Sequence, residues 1–256
     1  MKVRSQSSST LIRRSKARSH REDSDRWTKG SVLRELRRMA DPRVRDKMQH
    51  FGADVPSAHG ISTPKLHALA RQIGRNHRLA EELWASGLHE ARILAALIGE
   101  ADKVTAKQMN RRVKDFNAWD VVDATCCYLY AFAAPAWRKV EEWSRRKKEF
   151  EKRAAFSLIA YLAYKDKQSP DVRFEKCLRI IEREAWDERN FVRKAVNWAL
   201  RGIGKRNLHL NRAAIQAAEK IRKQDTKAAR WIAADALREL RSEGVQARLS
   251  VKAGKP

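Results

Sequence analysis

An all-α fold is predicted for this 256-residue chain by three observations. Between the two ends, almost every segment carries apolar residues at helical spacing, and none sustains the alternation of a half-buried strand. Gly and Pro fall at the edges of these segments. A small-and-basic signature also recurs, in Ala91-Arg92, Arg153-Ala154-Ala155, Arg193-Lys194-Ala195 and Ala229-Arg230.

The recurrence predicts the architecture. From Arg153 onward its members lie 40 and 37 residues apart, and the helix bearing Asp123 falls midway between Arg92 and Arg153. Stacked helix pairs of the HEAT or armadillo type repeat every ~40 to 47 residues, each pair burying its apolar stripe against its neighbours. The expectation is a curved α-solenoid of HEAT-like helical repeats with a basic concave groove. A four-helix bundle is the competing arrangement, but about a dozen short helices are too many for it.

In chain order, residues 1–24 hold seven Ser and seven Lys or Arg with few large apolar side chains, which predicts a disordered basic arm. Such a segment would suit a transit peptide, but Glu22 and Asp23 end it and an apolar signal core is absent. Residues 25–242 form the repeat domain, in which Thr63-Pro64 marks a helix start, a capping hydroxyl before a first-position proline. Residues 117–131 read as a helix with Val121, Thr125, Tyr128, Leu129 and Phe132 buried and Trp119, Asp123, Cys126 and Tyr130 opposite. Residues 151–164 set Ala155, Leu158, Ile159 and Leu162 against Arg153, Ser157 and Tyr164. Residues 190–204 bury Val192, Ala195, Val196, Ala199 and Ile203, leaving Lys194, Trp198, Arg201 and Lys205 on the other side; Gly204 is the expected stop. On residues 226–240 Lys227 and Arg230 take the corresponding side, and residues 243–256 read as a flexible basic tail.

Charge narrows the function. Lys and Arg number 56 against 31 Asp and Glu, a formal net charge of +25 that calls for a polyanionic partner. Nucleic acid comes first and an acidic membrane surface second. The longest weakly polar run, residues 124–137, contains Pro135 and falls short of the ~20 residues that span a bilayer. Cys126, Cys127 and Cys177 offer neither a disulfide framework nor metal spacing, which points to a reducing, cytoplasmic setting, nucleoid-associated if the source is bacterial. The histidines show no metal motif, so no metal and no cofactor are expected. Gly202-Ile203-Gly204 follows a helix where a dinucleotide motif needs a strand.

Against this basic background stands Trp119-Asp120-Val121-Val122-Asp123. An indole and a carboxylate four residues apart share a helix face, and an anion beside bound phosphate needs another reason to be there, such as a developing cation. The plain alternatives are that Asp123 pairs with a neighbouring Arg and that Trp198 packs on the next helix under basic stems. Asp120, about 100° around the helix, reads as structural.

Several further motifs carry a family resemblance: Met48-Gln49-His50-Phe51, Gly60-Ile61-Ser62-Thr63-Pro64, residues 117–123, Lys152-Arg153-Ala154-Ala155 and the run from Phe191 to Arg201. In this order the chain resembles the DNA alkylation repair family, HEAT-like-repeat glycosylases that excise alkylated purines, from about Trp27 to Leu240. The resemblance implies that Asp123 is the catalytic carboxylate, that Trp119 and Trp198 flank the lesion, and that Arg153 lies near the DNA backbone. Phe51 stands where an active member has tyrosine, and Ala118 where some have a second tryptophan. The implied function is hydrolysis of the N-glycosidic bond of cationic N3- or N7-alkylated purines in duplex DNA by a monomer. Phe51, Arg153, Lys194, Arg201, Lys205, Lys227 and Arg230 would bind DNA. The alternatives are a non-catalytic nucleic-acid scaffold of the same family and a solenoid for acidic peptides.

Overall fold

The computed structural model describes residues 27–50 and 56–254, with residues 49, 50, 252 and 253 described by their backbone alone. The arm at 1–24 and Phe51 lie outside the described residues. The chain falls into two compact units, Met1–Glu100 and Ala101–Pro256. Among the described residues both are helical and neither contains a strand.

The first unit holds α1 (Lys29–Arg38), α2 (Pro42–His50), α3 (Thr63–Ile73), α4 (His77–Trp84) and α5 (His89–Ile98). Thr28 and Ser31 close α1 with a reciprocal capping box. The loop before α3 is pinned by Glu90 of α5, a carboxylate 1% exposed. It accepts the backbone N–H groups of His59, Gly60 and Ile61 at 2.9, 2.7 and 3.3 Å. Gly60 has φ 78°, and a Cβ there would lie 2.2 Å from the Asp41 carbonyl oxygen, so only glycine fits. The N-cap of α3 is Ser62 rather than Thr63, and no side-chain hydroxyl bonds into the first turn. The proline fixes this start and the expected capping hydroxyl does not.

The second unit contains α6 (Ala106–Arg112), α7 (Trp119–Tyr128), α8 (Ala136–Ser144), α9 (Glu149–Lys165), α10 (Asp171–Glu184), α11 (Asn190–Gly204), α12 (Leu208–Arg222), α13 (Lys227–Leu240) and α14 (Glu243–Ala253). Helices α7, α9, α11 and α13 pack in series, while α8, α10 and α12 back them as a second layer. This is the expected repeat: one helix of each pair in each layer. Helix α9 is enclosed by α7, α8 and α11, and every residue from 151 to 160 is buried. A two-faced reading of α9 therefore underestimates its burial, because its polar side is covered by α7 and α11.

Three further departures have local causes. Helix α7 stops at Tyr128, and Leu129 (φ −127°, ψ −61°) leads into a 3-10 turn, Tyr130–Phe132. Helical phase is lost there: Phe132 becomes 58% exposed, while Tyr130 is buried with its ring 5.9 Å from Trp143. Cys126, expected on the open face, is buried with its thiol directed at the Ala154 carbonyl. Gly204 does end α11, yet the reason it is glycine is packing, since a Cβ would meet Leu240 Cδ2 at 2.6 Å. Residues 243–253 of the expected flexible tail form α14, which buries Val245 and Leu249 and bonds Gln246 Nε2 to Asn211 Oδ1 at 3.1 Å. Val245 and Leu249, four apart, share the face by which this helix docks.

Candidate active site

The series α7–α9–α11 brings four of the expected side chains into one neighbourhood. Asp123 projects from α7 toward α9, where Arg153 meets it with a two-pronged fork: Nη2 to Oδ2 at 2.7 Å and Nε to Oδ1 at 3.2 Å. One turn along α9, Ser157 donates its hydroxyl to Oδ1 at 2.7 Å. The third guanidinium nitrogen, Nη1, donates to the Phe191 carbonyl at the start of α11 at 2.8 Å. Phe191 is itself held by its N–H to Glu149 Oε1 and by its ring against Phe150 at 5.4 Å. The Arg153 side chain is 7% exposed and that of Asp123 16%. A carboxylate has about four lone-pair sites; three are filled, two on Oδ1 and one on Oδ2, which leaves one on Oδ2.

A second turn along α9 places Tyr161. Its ring meets Trp198 of α11 edge to face, centroids 4.8 Å apart at 82°. Burial, then the charge of Asp123 and the neighbouring Cys127, push the Tyr161 hydroxyl far above its ordinary pKa, so it stays protonated. The same two causes, burial first and Asp123 second, raise the Cys126 thiol and keep it neutral. Trp119, four residues before Asp123, is half-buried, and its indole N–H is buried with no acceptor. Asp120 is half-buried and accepts the Val121 N–H at 2.9 Å.

The cations separate into two groups. Lys194, Lys227 and Arg230 are exposed, Arg230 with Asp225 at 2.9 Å. Arg201 and Lys205 of α11 are instead both bound to Glu239 of α13, Lys205 at 2.5 Å, and Arg201 Nε lies 3.6 Å from Asp235. Arg153 is nearly enclosed, 7% exposed, and each of its guanidinium nitrogens donates to Asp123 or the Phe191 carbonyl, so it positions the carboxylate. Ser157, Tyr161, Asp235 and Glu239 were given no role by the sequence reading. The spacing Arg153, Ser157, Tyr161 at i, i+4, i+8 was the signal available for two of them.

A family model described as DNA alkylation repair enzyme matches residues 32–240. The chain belongs to that family. No curated protein sequence matches it. A solved structure described as "a new family of proteins related to the HEAT-like repeat DNA glycosylases with affinity for branched DNA structures" has the same fold, with a TM-score of 0.73 at 19% identity over 87% of this chain and 96% of the other. Membership of the DNA alkylation repair family covers both units, and the matched span ends at Leu240, before α14. Among the described residues no helix is long and apolar enough to cross a membrane.

Proposed function

We propose that this member of the DNA alkylation repair family is a DNA glycosylase that releases cationic N3- or N7-alkylated purines from duplex DNA. The observation that carries the reading is the carboxylate of Asp123, fixed by Arg153 and Ser157 with one lone pair open, beside Trp198 and Tyr161 and one turn from Trp119.

The chemistry follows from the charge of the lesion. Alkylation at N3 or N7 makes the purine a cation, so it leaves as a neutral base when the bond from C1′ breaks, and no residue need protonate it. The electron pair of that bond goes to the purine and leaves an oxocarbenium-like sugar. Asp123 stabilises that positive charge as it grows, and its open lone pair orients the water that adds to C1′ and gives up a proton. The products are the free alkylated base and an abasic site. Indole faces favour a cationic base over a neutral one by about 0.5 to 2 kcal/mol per contact. Lys194, Lys227 and Arg230 supply phosphate contacts that ignore sequence.

Base release from methylated and unmethylated duplexes tests this directly: free N7-methylguanine or N3-methyladenine is expected from the first and no base from the second. A second reading, a DNA-binding scaffold without catalysis, is favoured by one observation, the relative described as having affinity for branched DNA. Tight binding of branched DNA with no base release from any substrate would select it.

A further inference from the structure

Beyond Tyr161, helices α9 and α11 open into a cavity of about 430 Å³ whose lining does not include Asp123. Tyr161, Tyr164 and Trp198 form its aromatic wall, and Lys167, Lys205, Arg206 and Arg248 its cationic rim. Among the described residues no Asp or Glu lines it. Gly202 and Ala160 bring the two helices together at its floor. The volume falls within the ~300 to 1,000 Å³ of small-molecule sites.

Its parts differ in availability. Arg206 is committed to the fold, donating to the carbonyls of Ala163, Asp166 and Ser169 at the end of α9. Lys205 is shared with Glu239. Arg248, on the outer face of α14, is exposed and without an ion pair among the described residues. Tyr164 is 72% exposed, with Lys167 Nζ 5.3 Å from its ring centroid, so one cation is already placed beside any base that stacks on the ring.

We propose that this cavity holds one unpaired nucleotide of a DNA strand, its base against Tyr164 and its phosphate at Arg248 and Lys205. The aromatic wall selects the state of the base. Inside an intact duplex both faces of every base are covered by its neighbours, so the wall has nothing to stack on. An unpaired base at a flap, gap or junction has a free face, and stacking on a ring accepts any of the four bases. Helix α14, outside the span matched by the family model, supplies Arg248, a rim cation with no ion pair among the described residues. The inference rests on the DNA-binding part of the proposed function and not on catalysis.

The test uses undamaged DNA and the full chain, and measures binding of a fully paired duplex and of the same duplex carrying a single-stranded flap. Tyr164→Ala should weaken flap binding about tenfold, while duplex binding changes little. Tyr164→Phe should keep the flap preference, and Arg248→Ala should reduce it with a salt slope smaller by about 1. Equal loss on both DNAs, or no loss on either, would overturn the pocket while leaving the glycosylase reading standing. A wild-type protein that binds neither DNA would overturn the DNA-binding reading, and the pocket with it.

Discussion

Two carboxylate sites on neighbouring helices of the stack are built from the same parts and differ in how tightly those parts are held. At one, Asp123 on α7 meets Arg153 and Ser157 on α9; at the other, Glu239 and Asp235 on α13 meet Arg201 and Lys205 on α11. The first pair is nearly enclosed, with side-chain exposures of 16% and 7%, and every guanidinium nitrogen has an acceptor. At the second site the side chains are 19 to 30% exposed, and Arg201 Nε is buried without a hydrogen bond. An enclosed, fully bonded pair fixes the position of a charge. A half-exposed, incompletely bonded pair can exchange its partner, so it sets how much positive charge the face presents.

The largest effect that would break this contrast comes from Arg153→Ala. It leaves Asp123 buried without its fork, and chemical denaturation should show a loss of about 3 kcal/mol. Adding Asp123→Ala should restore part of that, since the unpaired charge goes with it. A loss well under this in the single variant would mean that the pair is not enclosed in solution. Glu239→Gln should cost little stability, because exposed pairs contribute only about 0 to 1 kcal/mol. It frees Arg201 and Lys205, so DNA affinity should rise and the salt slope steepen by up to about 2. An unchanged slope would remove both residues from the DNA-facing surface.

Lys194→Ala should act the other way and less strongly, lowering affinity for all duplexes alike and shrinking the slope by about 1. The smallest effect concerns pH. Burial raises the Glu239 carboxyl, but hydrogen bonds from Lys205 and Arg201 outweigh it and hold the group below its ordinary value. Its stabilising contribution is present above the unfolded value of about 4.3 and is lost as pH falls through the lowered one. Stability measured below about pH 4.5 should therefore fall less steeply in Glu239→Gln than in wild type. Identical acid limbs would show that the pair contributes nothing.

What was legible in the sequence is what depends on local period. Val192, Ala195, Val196, Ala199 and Ile203 fall on one stripe of α11 and all are fully buried. Trp119 and Asp123 share a helical face for the same reason. That Asp123 pairs with an Arg and that Trp198 packs on a neighbouring helix were among the alternatives the sequence offered, but not which residues of another helix they meet: Arg153 lies 30 residues from Asp123, and Arg201 38 from Glu239. Phase tells which residues share a face, and says nothing of whether a second helix covers it. That is why Arg153 read as an open phosphate contact. The break at Leu129 and the docking of α14 were missed because each depends on tertiary contacts that override local composition.

The account rests on Asp123 acting as a charge opposite the sugar, and single-turnover release of N7-methylguanine from methylated duplex at matched occupancy measures that directly. Asp123→Asn should keep most DNA affinity and lose about 10² to 10³ in rate, since the amide keeps the shape but not the charge. Asp120→Asn, with its carboxylate turned to the Val121 N–H, should stay close to wild type. An Asp123→Asn protein that releases base at the wild-type rate would contradict the account.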